Sequence, residues 1–170
     1  MQKSKLTRIR SAFEYEGLVR QMIRDAKYAG RARILRFFAE ELVPLVLSEF
    51  PRKIQALVPV PLHRKREWER RWNQAEVIAG QLDLHLGIPV RHFLTKIKKT
   101  MPQSSLSGPS RRRNLEGAFQ CKAKNPLPRS LLLIDDVITT GSTLEECASV
   151  LRRCGARRVY GLTIARAVLK

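Results

Sequence analysis

Apolar and polar positions alternate along the chain with periods that predict helices and strands in turn. The segment from Tyr15 to Tyr28 carries apolar residues at helical spacing, and Gly30 interrupts it. A second amphipathic helix is predicted from about Ala32 to Leu47, and the approach to Pro51 ends it. Residues 1 to 13 show no strong periodicity, so no element is predicted there.

The rest of the chain continues the alternation. The elements predicted after Pro51 are a strand at 56–60, a helix at 73–84, a strand at 90–97, a short apolar piece at 118–119, a strand at 131–134, a helix ending near 154 and a strand at 159–165. From Lys98 to Glu116 the periodicity is lost and Pro, Ser, Gly and Arg accumulate, which predicts a long mobile loop. Loops of this length in compact domains are usually either functional or disordered. Strands that alternate with helices predict an α/β fold, with a mostly parallel twisted sheet flanked by helices on both faces.

The run from Leu131 to Thr143 carries the strongest chemical signal. Four apolar residues, Leu131 to Ile134, predict a buried parallel strand, and Asp135 and Asp136 follow it directly. Open α/β sheets bind ligands at the carboxyl ends of their strands, so both carboxylates are candidate ligand contacts.

A small polar turn, Thr139-Thr140-Gly141-Ser142-Thr143, comes next. Its backbone N–H groups can approach an anion closely, and the positive end of the following helix faces the same point. Thr143 and Glu146 have the spacing of a capping box, which predicts that the helix starts at Thr143. Together these features indicate a ribose 5-phosphate site.

Charge adds a second expectation. The 170 residues include 33 Lys or Arg against 15 Asp or Glu, a net charge of +18. The stretch from Pro61 to Ser130 holds 15 of these basic residues against 5 acidic ones, which favours it as the anion-binding face. The alternative is a generally basic surface that serves solubility.

The chain shows no run long and apolar enough to span a membrane, and its polar, basic start is unlike a secretory signal. Three cysteines, Cys121, Cys147 and Cys154, are a sparse and odd set that fits a reducing compartment, so a cytoplasmic location is expected. Cys147 and Cys154 share one helix face, which favours core packing over metal binding.

The run from Leu131 to Thr143 resembles the phosphoribosyl pyrophosphate signature of type I phosphoribosyltransferases. Most of the chain resembles the ComF family of competence-associated proteins, through blocks at 58–63, 70, 73–76, 100–103, 106–107, 112–114 and 117–119. Two features depart from that family. The chain has no four-cysteine zinc module, so no zinc is predicted, and Arg71 and Trp72 stand where the family tends to have glycine and phenylalanine.

The resemblance implies a type I phosphoribosyltransferase fold, with an N-terminal helical hood-like segment at 1–50 and a phosphoribosyltransferase-like domain at 51–170. It implies that Asp135 and Asp136 accept hydrogen bonds from the ribose hydroxyls and help to hold Mg²⁺ through water. No direct protein ligand to a metal is predicted. The resemblance also implies that Thr139, Thr140, Gly141, Ser142 and Thr143 hold the 5-phosphate.

The basic residues divide into three groups under this resemblance. Arg64, Lys65 and Arg70 would meet the pyrophosphate as charge-assisted donors. The loop from Lys98 to Asn114 would close over the leaving group, and its candidates for stabilising the developing charge are Lys98, Lys99, Arg112 and Arg113. The residues expected to contact nucleic acid are Trp68, Arg66, Arg71, Lys96 and Arg111. Trp68 could stack on unpaired bases, but its role stays open.

Single aromatic and histidine residues have structural alternatives. Trp72 is expected to pack in the core, because the family has a packing aromatic at its position. His63 is expected to be a structural hydrogen-bonding group rather than a base. A purely solvated face stays open for each charged run.

Three functions follow from these expectations. The chain could handle single-stranded DNA in natural transformation while binding a phosphoribosyl pyrophosphate-type ligand, with competence or DNA-processing proteins as partners. It could instead be an active magnesium-dependent phosphoribosyltransferase acting on an unidentified base. The third function is a regulator in which the activated sugar shifts an equilibrium of DNA or partner binding.

Overall fold

The structure, a computed structural model, describes residues 4–28, 31–63, 72–98, 114–123 and 125–168. Its elements, in chain order, are β1 (Arg8–Glu14), α1 (Gly17–Tyr28), α2 (Ala32–Glu49), β2 (Ala56–Pro59), α3 (Gln74–Leu86), β3 (Leu94–Lys96), β4 (Phe119–Cys121), β5 (Ser130–Ile138), α4 (Ser142–Arg153) and β6 (Arg158–Arg166). The predicted α/β class and the predicted helices and strands of the sheet are confirmed, with boundaries that differ by a few residues.

In the described residues the main sheet has four parallel strands in the order β1-β6-β5-β2. Side chains of β5 alternate between its two faces. Leu131 and Leu133 pack with α4 and with the small antiparallel β3–β4 sheet, while Leu132 and Ile134 pack against α2 and α3. Helices therefore cover both faces of the sheet, as predicted.

The N-terminal segment corrects the expectation for residues 1 to 13. Arg8–Glu14 forms an edge strand that pairs in parallel with β6, from Arg8 against Tyr160 to Glu14 against Arg166. The sequence pattern did not predict this strand because polar and basic residues interrupt its apolar ones. The strand forms because its backbone hydrogen-bonds to β6, a contact that is distant in sequence. The division of the chain near residue 50 stays a prediction.

Three further expectations change in detail. The strand predicted at 90–97 is reduced to Leu94–Lys96, and Val90 forms an isolated bridge with Leu57. The capping box is wrong: α4 begins at Ser142, Gly141 occupies the N-cap position, and the Glu146 carboxylate accepts from the Gly117 N–H at 3.1 Å instead. The loop predicted from Lys98 to Glu116 lies largely outside the described residues.

Two other observations bear on expectations from the sequence. Cys147 is fully buried and Cys154 packs against the same core, which confirms core packing. No helix within the described ranges is long and apolar enough to cross a membrane.

Candidate ribose-phosphate site

The carboxyl ends of the parallel strands bring the acidic pair and the polar turn together. β5 runs through Asp135 and Asp136 to Ile138. Both aspartates therefore lie within the last residues of the strand, where it still pairs with β6, rather than beyond its end. The turn then leads at once into α4. The sheet edge, the turn and the first N–H groups of α4 therefore converge, as the sequence predicts for a phosphate site.

The turn is built for close approach of its backbone. Gly141 has φ +79°, a left-handed conformation that side-chain-bearing residues rarely adopt. The Thr140 and Ser142 hydroxyls lie 2.8 Å apart and hydrogen-bond to each other, and the Ser142 N–H points to Thr140 Oγ1 at 3.4 Å. The N-cap residue of α4 is Gly141, which has no side chain to cap the helix, and the first N–H groups of α4 lie beside this turn.

A lysine that the sequence did not single out completes the acidic pair. Lys27 Nζ lies 2.6 Å from Asp136 Oδ2, and the two side chains are only 17% and 14% exposed. Burial lowers the pKa of Lys27, but attraction to Asp136, their hydrogen bond and attraction to Asp135 outweigh it and raise the pKa overall. The acidic pair thus has the Lys27 ammonium directly beside it.

Asp135 is held in an unusual state for a carboxylate. Burial raises its pKa to about 7, and repulsion from Asp136 adds to the rise. The Asp136 N–H, which Asp135 Oδ1 accepts at 2.9 Å, and the charges of Lys27 and Lys96 act in the opposite direction. Near neutral pH, Asp135 exchanges between its protonated and ionised forms.

Helical spacing contains the signal that could have identified Lys27. Ile23 and Ala26 are fully buried on α1, and Lys27 lies four residues after Ile23 on the same face. A charged group on the buried face of an amphipathic helix requires a partner. The sequence does not say which acid provides it, because α1 and β5 are more than a hundred residues apart.

Beyond β2 lies a cavity of about 560 Å³. Its lining includes His63, Asn73, Lys96 and Lys122. Asn73 connects the segment after β2 to the start of α3. Its Nδ2 donates to the Val60 carbonyl at 2.9 Å, and its Oδ1 accepts from the Ala75 N–H and caps α3. The cavity therefore has a rigid wall and cationic side chains.

Two buried side-chain nitrogens lie at the start of α3. Within the described residues, the buried nitrogens Trp72 Nε1 and Gln74 Nε2 have no hydrogen-bond partner, and Gln74 is 2% exposed. Buried donors without a partner cost roughly 1–3 kcal/mol each. Trp72, expected in the core, is half-buried.

The basic residues predicted from the sequence are only partly described. Lys96 lies on β3, half-buried, with its ammonium 5.4 Å from the centre of the Phe119 ring, and Lys98 is exposed. Those that lie outside the described residues are Arg64, Lys65, Arg66, Trp68, Arg70, Arg71, Lys99, Arg111, Arg112 and Arg113. Their roles stay predictions. In the described part of the chain, no three His, Cys, Asp or Glu side chains group in a way that could hold a metal ion.

Comparison with known proteins bears on both family and fold. Competence protein F of Haemophilus influenzae is 42% identical over 116 residues, which is 66% of this chain and 51% of that protein. DNA utilization protein YhgH of Salmonella typhimurium is 31% identical over 170 residues, covering 94% of this chain and 72% of that protein. The chain thus spans about half the length of the Haemophilus relative.

Among solved structures, adenine phosphoribosyl transferase from Trypanosoma brucei matches with a TM-score of 0.50 over 84% of this chain and 68% of that one, at 12% identity. That likeness shows the type I phosphoribosyltransferase fold. No protein-family model matches the chain.

Proposed function

Because the chain belongs to the ComF family, with Competence protein F and DNA utilization protein YhgH, we propose that it binds a phosphoribosyl pyrophosphate-type ligand and handles single-stranded DNA in natural transformation. The observation that carries the proposal is the convergence of Asp135, Asp136 and the turn before α4 at one sheet edge. Carboxylates suit ribose hydroxyls, and the backbone N–H groups at a helix start suit a phosphate.

Each part of the ligand would have a counterpart in the described residues. The 5-phosphate would rest on the N–H groups and hydroxyls from Thr139 to Thr143. The ribose hydroxyls would donate to Asp135 and to Asp136, whose Oδ2 lies 2.6 Å from Lys27 Nζ. The pyrophosphate would enter the cavity beyond β2, towards Lys96 and the donors at the start of α3.

Magnesium fits this arrangement through the two adjacent carboxylates, Asp135 and Asp136, with water and ligand oxygens between. When bound, the ion would neutralise part of the pyrophosphate charge. Lys27 already neutralises Asp136 in the structure, so the ribose, the ion and Lys27 would share the same carboxylate. The side chains of the site therefore act mainly to bind and orient the sugar.

The DNA part of the proposal is supported by the net charge of +18. We expect a fluorescently labelled single-stranded oligonucleotide to bind at low salt. Its affinity should fall steeply as salt rises, because Lys and Arg side chains that contact phosphates displace the counterions condensed on the DNA. Anisotropy titrations between about 50 and 200 mM salt measure this, with a decrease of about tenfold or more expected. An affinity that is absent at low salt, or that does not depend on salt, would remove the DNA part of the proposal.

A further inference from the structure

The opposite edge of the sheet, where the parallel strands begin, carries a second concentration of positive charge. It is formed by the segment 50–55 before β2, the segment 125–130 that leads into β5, and the segment 152–158 that runs from the end of α4 to the start of β6. These segments contain no Asp or Glu. Their exposed basic side chains, here called the amino-edge cations, are Arg52, Lys53, Arg129, Arg153, Arg157 and Arg158.

Backbone hydrogen bonds hold these segments side by side. The N–H groups of Arg157 and Arg158 both donate to the Arg129 carbonyl, at 3.0 and 2.8 Å. Gln55 and Ser130 join the next pair of segments, through Gln55 N–H to the Ser130 carbonyl at 2.9 Å and Ser130 N–H to Gln55 Oε1 at 3.1 Å. The amino-edge cations therefore extend from rigid, adjacent strand starts about 5 Å apart.

Their charge has no acidic partner within the described ranges. Among the residues that the structure describes, none of the amino-edge cations forms a salt bridge. The nearby acid, Glu49 at the end of α2, is already engaged by Arg8 and Arg10. Six uncompensated positive charges on one edge form a local field that attracts a polyanion.

Stabilisation of a helix end explains only part of this cluster. Arg153 lies in the last turn of α4, where a cation compensates the negative end of the helix. Arg129, Arg157 and Arg158 lie outside any helix, so that explanation does not apply to them. Nor is an aromatic face offered here, because Phe50 and Tyr160, which stack edge to face at 5.8 Å, are buried.

We propose that the amino-edge cations bind the phosphate backbone of single-stranded DNA, at a surface separate from the ribose-phosphate site. The inference rests on the proposed function, since it locates the DNA that the function requires. Asp135 lies five positions after Ser130 along β5, so the two sites are roughly 17 Å apart along the strand. A strand of DNA and a sugar phosphate can then be bound at once.

The test removes three of these charges in the variant Arg129→Gln/Arg157→Gln/Arg158→Gln. We expect its affinity for a single-stranded oligonucleotide to fall at least about tenfold, and the slope of log affinity against log salt to decrease by about 2 units, since each phosphate contact on a single strand contributes about 0.7. Affinity for phosphoribosyl pyrophosphate with magnesium should not change, because that site is on the other edge.

A matched control removes the same charge elsewhere. Arg20, Arg33 and Arg36 are exposed on α1 and α2 and form no salt bridge among the described residues, so Arg20→Gln/Arg33→Gln/Arg36→Gln should change DNA affinity less than about twofold. Replacing Arg129, Arg157 and Arg158 by Lys keeps the charge and should restore most of the affinity, which separates charge loss from misfolding.

Two sets of outcomes separate the location of the DNA-binding surface from the DNA-binding function itself. If the wild type binds DNA and the amino-edge variant binds it equally well, or if both triple variants are weakened equally, the amino edge is not the DNA surface. If the wild type binds no oligonucleotide at low salt, the DNA function itself fails and the inference fails with it.

Discussion

Replacing Asp135 by Asn is expected to raise the free energy of unfolding at pH 8 by about 2 kcal/mol, although the residue lies in the proposed ligand site. The pKa of Asp135 is about 7 in the folded protein against an ordinary value of 3.8, so the fold prefers the neutral carboxyl. Asn is neutral at every pH, and its side-chain oxygen can still accept the Asp136 N–H. A full shift of this size would correspond to about 4 kcal/mol, and partial solvation of the half-buried group reduces it.

The pH dependence gives the sign of the effect. Below about pH 4 Asp135 is protonated in both the folded and unfolded states, and it contributes no difference. As pH rises from about 4 to 7 the unfolded chain ionises first, so the wild type loses stability relative to Asp135→Asn, and above pH 7 the loss is complete. Urea unfolding of both proteins at pH 5 and pH 8 measures this.

Asp25→Asn is the matched control, because Asp25 is a more exposed aspartate that pairs with Arg31 at 3.4 Å. Its stability should stay within about 0.5 kcal/mol of the wild type at both pH values. Equal stability of Asp135→Asn and wild type at pH 8 would show that the ionised Asp135 carboxylate does not destabilise the folded protein. If Asp135→Asn is more stable than the wild type at pH 8 but has lost ligand affinity, Asp135 lowers the stability of the fold while serving ligand binding.

Replacing Lys27 by Met is expected to lower the free energy of unfolding by about 2 kcal/mol at pH 8. Met keeps most of the side-chain volume but removes the ammonium that lies 2.6 Å from Asp136, leaving two adjacent carboxylates in a largely buried site without it. The loss should be smaller at pH 5, where Asp135 is protonated and its repulsion of Asp136 is removed.

The double variant Lys27→Met/Asp136→Asn tests the pairing itself. Removing the carboxylate as well should recover a large part of the lost stability, as double-mutant cycles show for coupled neighbours. Arg24→Met, an exposed residue one turn away on α1, serves as the control and should leave stability nearly unchanged. If Lys27→Met and Arg24→Met unfold alike, the ion pair contributes nothing to the fold.

The sequence predicted the parts of the fold and site that are encoded locally. The buried strand from Leu131 to Ile134, the turn around Gly141 and the alternation of strands with helices all depend on neighbouring residues. Each is visible as a period or a short motif. Their convergence at the carboxyl edge follows from the rule for parallel sheets rather than from any long-range information.

What the sequence did not predict depends on contacts between distant segments. β1 forms because β6 offers it a pairing edge, Lys27 is placed by packing of α1 near β5, and Glu146 turns to the Gly117 N–H rather than capping α4. The amino-edge cations are scattered over three segments of sequence, so a window of charge along the chain does not reveal them. The middle stretch from Pro61 to Ser130 contains only Arg129 of this set.

A ribose-phosphate ligand is proposed to bind at the carboxyl end of β5, and calorimetric titration measures this binding. Phosphoribosyl pyrophosphate with magnesium is titrated into the wild type, Asp135→Asn and Asp25→Asn, each with and without a single-stranded oligonucleotide. We expect the wild type and Asp25→Asn to bind alike and Asp135→Asn to bind at least about tenfold more weakly, since a lost hydrogen bond to a charged group costs roughly 1.5–3 kcal/mol. Any factor by which DNA changes sugar affinity must equal the factor by which the sugar changes DNA affinity. If the wild type binds no phosphoribosyl pyrophosphate, or if Asp135→Asn binds it as tightly as the wild type, the carboxyl end of β5 is not a ribose-phosphate site that depends on Asp135.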